Sequence, residues 1–177
     1  MSKLRFATVW LDGCSGCHMS FLDIDDRLLD LAGVIDLVYS PLVDFKVFPE
    51  DVDLTLVEGA VSSEEDLEKI LRVRARTKLL VALGDCSVTA NVPSMRNPLT
   101  VDSIFQRAYL NDTLMHPQVP NQIVPRLLPV VRPVHAVVKV DVFIPGCPPS
   151  AETIFYALSE LIAGRQPDLS DRTRFGI

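Results

Sequence analysis

Hydrophobic and polar positions alternate between two periods along this chain. Five short, largely apolar runs read as strands: Leu4 to Leu11, Val34 to Tyr39, Val52 to Glu58, Lys78 to Leu83 and Val137 to Ile144. Near-continuous apolar character is what a strand needs when both faces of its sheet are covered, so the sheet is expected to be mainly parallel. Between the runs the period lengthens. Met19 to Ala32 places Phe21, Ile24, Leu28 and Leu31 on one side and Asp23, Asp26, Arg27 and Asp30 on the other, with Gly33 at the position of a C-terminal cap. Ser62-Ser63-Glu64-Glu65 is a capping-box start for a helix through about Arg76, with Leu67, Ile70 and Leu71 as its buried stripe. A last helix starts at Ser150, carries Ile154, Leu158, Leu161 and Ile162, and stops at Gly164.

Strand and helix thus take turns, which predicts an α/β fold: a flavodoxin-like open parallel sheet with helices on both faces, formed by residues 1–177 as a single domain. One stretch departs from the scheme. Asn91 to Pro133 holds seven prolines, and only a short helix around Val101 to Leu110 is expected within it. Ile123, Val124, Leu127, Leu128, Val130 and Val131 are too apolar for a solvated linker. The stretch is therefore read as an ordered surface excursion that either docks a partner chain or covers an edge of its own sheet.

Composition narrows the function. The chain has 177 residues and a net charge of -6. No basic stripe interrupts that balance, which argues against nucleic-acid binding, where Lys and Arg must neutralise phosphates. No apolar run approaches the ~20 residues of a membrane span, so membrane insertion is not expected. Met1-Ser2-Lys3-Leu4-Arg5-Phe6 offers neither an export signal nor a twin-arginine stretch, which predicts a cytoplasmic location. In a reducing compartment cysteines serve as metal ligands or redox groups more readily than as structural disulfides.

All four cysteines fall in Gly-rich or Pro-rich turns, outside the predicted strands and helices: Gly13-Cys14-Ser15-Gly16-Cys17, Gly84-Asp85-Cys86 and Pro145-Gly146-Cys147-Pro148-Pro149. Each turn follows the C-terminal end of a predicted strand, the edge at which open parallel sheets bind ligands. A convergent site holding a zinc ion or an iron-sulfur cluster follows. One C-x-x-C joined by two lone cysteines, 69 and then 61 residues further on, differs from the paired knuckles of zinc sites and favours a [4Fe-4S] cluster. Cys14-Ser15-Gly16-Cys17-His18 also spells the c-type haem attachment string and a thioredoxin-like dithiol. Both leave Cys86 and Cys147 without a role, and His18 is read as a first-turn helix residue making a local hydrogen bond.

Trp10-Leu11 before Cys14-Ser15-Gly16-Cys17-His18, then Val57-Glu58-Gly59, Gly84-Asp85-Cys86 and Pro145-Gly146-Cys147-Pro148-Pro149, resembles in order the small subunit of cytoplasmic NAD-reducing (bidirectional) [NiFe]-hydrogenases. The resemblance implies that Cys14, Cys17, Cys86 and Cys147 bind one proximal [4Fe-4S] cluster. It also implies a large subunit carrying the Ni-Fe centre, diaphorase subunits carrying flavin and further clusters, and, for Glu58, which by itself reads equally as a solvated strand-end carboxylate, a place behind the cluster ligands with a part in proton transfer. The cluster-binding subunit of respiratory complex I shares the final Pro-Gly-Cys-Pro-Pro pattern but has adjacent cysteines in its first motif. A zinc-stabilised assembly module is the non-redox alternative. No Ser/Thr-rich phosphate loop follows Leu11, so no flavin is expected on this chain itself.

Overall fold

The fold is that of a computed structural model, which describes residues 3–111 and 115–173. Met1 and Ser2 of the N-terminal reading, three residues of the Pro-rich stretch and the last four of the chain lie outside the described residues.

The chain runs β1 (Leu4–Trp10), α1 (Gly16–Leu22), α2 (Arg27–Val34), β2 (Ile35–Tyr39), β3 (Val52–Glu58), β4 (Val61–Ser63), α3 (Glu64–Arg76), β5 (Thr77–Leu83), α4 (Gly84–Thr89), α5 (Val101–Phe105), β6 (Leu127–Arg132), β7 (Val142–Ile144) and α6 (Ala151–Ile162). Five strands form one parallel sheet in the order β2-β1-β3-β5-β7, the flavodoxin-like order. Strand order reverses between β1 and β3, the point at whose C-terminal edge open α/β sheets bind ligands.

Alternation along each strand sends side chains into two cores. Phe6, Leu54, Leu56, Val81 and Leu83 face α1, α2 and α6, where Phe21, Leu31, Ile154 and Leu158 meet them. Ala7, Val9, Val57 and Leu80 face α3, packing on Ile70 and Val73. Each such Val, Leu, Ile or Phe side chain, fully buried, contributes about 1.5–3 kcal/mol, so the sheet is held from both sides. No helix among the described residues is long and apolar enough to cross a membrane.

Three expectations change. The helix expected over Met19 to Ala32 is two helices, because Asp25 takes a left-handed backbone (φ 59°) between them. Gly33 consequently lies within the last turn of α2 and does not cap it; Ile35 does. The last strand shortens to Val142–Ile144, since Val134–Ala136 forms a 3-10 turn and Val137, Val138 and Val140 pack against the α3-side core instead.

The excursion carries the expected helical segment, α5 continued by a wide turn over Gln106–Leu110. It also holds β6, which pairs antiparallel with β4 just past the reversal point. Arg96 fastens it by donating to the Ser62 and Leu128 carbonyls (3.0 and 2.9 Å), and Asn97 bonds both the N–H and the carbonyl of Val131. The segment builds a second small sheet beside β3 rather than pairing with either edge of the main one.

Candidate functional site

Strand register sets the site. Trp10, Glu58, Leu83 and Ile144 pair in turn across β1, β3, β5 and β7, forming one level row at the C-terminal edge. Cys14 follows four residues after Trp10, Cys86 three after Leu83 and Cys147 three after Ile144. Neighbouring strands are about 4.8 Å apart, so loops distant in sequence leave the sheet side by side. Cys17 is buried in the first turn of α1, Cys86 is half-buried in α4, and Cys14 and Cys147 are exposed. Two of the four cysteines therefore sit in helical first turns that the turn-rich sequence does not announce. All four are free thiols.

Their chemistry is coupled. Burial raises the Cys17 thiol well above its ordinary value, and the charges of Glu58, Cys86, Cys14 and Cys147 push the same way. Cys86 is pushed up to about 11, chiefly by burial; a hydrogen bond from the Val92 amide opposes the rise, and the charges of Cys14, Cys147 and Glu58 add to it. Such thiols stay protonated by themselves, and a bound cation deprotonates them. Donors already point at the sulfurs: the Gly16 N–H at Cys14 Sγ (3.4 Å) and the Asn91 side-chain amide at Cys147 Sγ (3.6 Å).

The backbone is shaped around the sulfurs. Gly84 has φ +79°, and a Cβ there would lie 2.2 Å from Cys17 Sγ, so only glycine lets the Cys86 turn approach Cys17. The Asp85 N–H donates to the Gly146 carbonyl (2.8 Å), and the Gly146 N–H returns a bond to the Asp85 carboxylate (2.7 Å). Asp85 thus ties the Cys86 and Cys147 loops together, a role the sequence does not disclose. Gly59 (φ +92°) brings the β3 end within 2.7 Å of the Leu11 backbone, measured from an added Cβ, and locks the Cys14 loop against β3.

Glu58 sits at the centre of the row, 2% exposed, because β3 lies between the strands that deliver Cys17 and Cys86. One carboxylate oxygen accepts from the Cys17 N–H (3.3 Å) and the other from the His18 N–H (2.9 Å), which caps α1 where Ser15 makes no side-chain cap. The His18 ring Nδ1 pairs with the same carboxylate. His18 is thus a buried partner of a residue 40 positions away, not the maker of a local bond. Its Nε2 is buried without a hydrogen-bond partner among the described residues, as is the Ser87 hydroxyl beside Cys86.

The donor set suits a soft, thiolate-loving metal group. Among the described residues no three His, Cys, Asp or Glu side chains stand close enough to hold a single metal ion. A tetrahedral zinc site would require its sulfurs about 3.8 Å apart. Free thiols, N–H donors aimed at three of the sulfurs, buried polar atoms without partners beside Cys17 and Cys86 and a glycine cradle together fit a thiolate-bound metal group.

The family model described as NADH ubiquinone oxidoreductase, 20 kDa subunit, matches residues 14–161. The delta subunit of the NAD-reducing hydrogenase HoxS of Cupriavidus necator is 41% identical over 94% of this chain and 82% of its own length. A subunit of the F420-non-reducing hydrogenase vhu of Methanocaldococcus jannaschii is 34% identical over 94% of this chain, which spans only 58% of that protein. In a crystal structure of an NAD+-reducing [NiFe]-hydrogenase in the H2-reduced state, a chain superimposes with a TM-score of 0.94 at 40% identity, covering 98% of this chain and 99% of that one. A [NiFeSe]-hydrogenase chain of Dm. baculatum shares the fold alone, with a TM-score of 0.61 and 18% identity over 97% of this chain and 69% of its own.

Proposed function

This chain belongs to the NADH ubiquinone oxidoreductase 20 kDa subunit family and, within it, to the hydrogenase small subunits, and from that premise we propose that it is the electron-transfer small subunit of an NAD-reducing [NiFe]-hydrogenase. Cys14, Cys17, Cys86 and Cys147 hold one [4Fe-4S] cluster. The observation that carries this reading is the level row of strand ends that delivers the chain's four cysteines, from three loops, to one edge of the sheet.

When bound, the cluster supplies a one-electron carrier. The chain's own residues do the rest. The amides of Gly16 and Val92 and the Asn91 side chain donate to sulfur, which favours the more negative, reduced state. Phe21, Ile24 and the two-sided apolar core close the sheet side against water. Glu58 holds the Cys17 turn and the His18 ring. All four cysteines are committed to the cluster, so hydrogen is activated on a large subunit with the Ni-Fe centre, and electrons pass to a diaphorase module with flavin and further clusters.

Replacing Cys86 with serine in the whole complex tests the reading. Hydrogen-dependent NAD reduction should fall at least a hundredfold, while NADH-dependent dye reduction by the flavin module persists. The native chain should carry about four iron atoms and broad visible absorbance. Full activity in the variant, or a colourless zinc-containing chain, would overturn it.

A further inference from the structure

The segment that follows α4 is held at both ends. At its near end it gives donors to two sulfurs: the Val92 amide bonds Cys86, and the Asn91 side-chain amide lies 3.6 Å from Cys147 Sγ. A 3-10 turn over Val92–Arg96 then carries the chain away from the thiols. At its far end the next two side chains bind backbone of the small sheet. Arg96 donates to the Ser62 carbonyl of β4 and the Leu128 carbonyl of β6. Asn97 donates to the Val131 carbonyl of β6 (3.0 Å) and accepts from the Val131 N–H (2.8 Å).

Ala90 joins the two ends. It takes a left-handed backbone (φ 63°), a costly conformation for a residue with a Cβ, and this turn closes α4 and brings Asn91 and Val92 back to the sulfurs. Such a turn persists only where its surroundings over-determine it. Ala90 is 1% exposed and forms a buried cluster with Ala60 and Val131. Val131 is the residue whose two backbone groups Asn97 grips. The side chain that props the strained turn is thus pinned by the far end of the same segment.

We infer that Arg96 and Asn97 are positioning residues for the cluster: by fastening the segment to β4 and β6 they hold the Ala90 turn closed and keep the Val92 and Asn91 donors on Cys86 and Cys147. This rests on the cluster reading proposed above. Hydrogen bonds to ligand sulfur favour the reduced, more negative cluster, so releasing the clamp moves the midpoint potential downward. Removing the charge of Arg96 would lower the potential too. Asn97 carries no charge, which makes it the cleaner probe.

The test uses the whole complex with Asn97→Ala, Arg96→Met, Asn91→Leu and the double variant Asn97→Ala with Asn91→Leu. Redox titration followed by EPR reads the cluster, and hydrogen-deuterium exchange reads residues 91–97. Asn97→Ala and Arg96→Met should keep wild-type iron, speed exchange over 91–97 at least tenfold, and shift the midpoint downward by at least half the shift of Asn91→Leu. The double variant should shift by less than the sum of its two single changes, because both act through the same donors. An unchanged midpoint in Asn97→Ala, a strictly additive double variant, or a shift confined to Arg96→Met would each overturn the inference. Loss of iron from Asn97→Ala would also overturn it, by giving the clamp a purely structural role. Absence of iron from this chain in the wild-type complex would instead defeat the cluster reading itself.

Discussion

Glu58 presents an electrostatic conflict at a single residue. Its charge raises both Cys17 and Cys86, which works against the thiolates a metal group requires. Its position is explained by what it accepts: two amides at the start of α1 and the His18 ring, all buried. The two roles separate by substitution. Glu58→Gln keeps an acceptor oxygen and removes the charge, so iron content should stay at the wild-type level while turnover slows and the cluster's midpoint potential rises. Glu58→Ala strands buried donors at about 1–3 kcal/mol apiece, and iron should be lost as well. Iron analysis with a redox titration followed by EPR reads both. Iron loss in the glutamine variant would assign Glu58 a purely structural role.

At the scale of elements, local signals were legible and long-range ones were not. The capping box of α3 reads from Ser62-Ser63-Glu64-Glu65, and Ser63 indeed caps the helix. Its hydroxyl accepts from the Asp66 N–H (3.1 Å), and the Asp66 carboxylate accepts from the Ser63 N–H (3.0 Å). Ser63→Ala should cost about 1 kcal/mol. Thermal denaturation should then shift by roughly 2–4 °C, with iron content unchanged. A shift of about 10 °C would mean that Ser63 does more than cap. The split of α1 from α2 was hidden because Phe21, Ile24, Leu28 and Leu31 keep helical spacing and all reach the same core. Only the Asp-rich step, tolerant of a left-handed backbone at Asp25, hints at the break. β6 escaped because Pro129 sits within it. Proline is tolerated there because β6 pairs on one side only, with β4. The cysteine loops were readable since turn chemistry is written in adjacent residues, whereas His18 and Glu58 meet across 40 residues that no local pattern links.

At the scale of the molecule, the two ends of the sheet do different work. The C-terminal edge gathers thiols; the N-terminal edge is tied by two carboxylates. Asp53, at the start of β3, accepts from the Arg5 N–H of β1 (2.8 Å) and from Lys78 of β5 (2.7 Å). Asp141, just before β7, accepts from the Leu80 N–H of β5 (2.9 Å) and from Arg74 of α3 (2.7 Å). The hydrogen bond from Lys78 foremost holds the Asp53 carboxyl below its ordinary range, with Arg5 adding to it. For Asp141 burial pulls upward, but the Leu80 amide, Arg74 and Lys139 outweigh it and the net shift is also downward. Both groups therefore titrate lower in the folded chain than in the unfolded one. Their contribution is complete above the unfolded value of about 3.9 and is lost as pH falls through the lower folded values. Asp141→Asn keeps an acceptor for Leu80 but loses the charge, and at 21% side-chain exposure should cost about 1–2 kcal/mol at pH 7. Urea denaturation of the metal-free chain, which removes cluster loss in acid from the comparison, should show that cost at pH 7 and show it shrinking below about pH 4. A penalty that stays constant down to about pH 3 would mean that packing, and not the charge of Asp141, secures this end of the sheet.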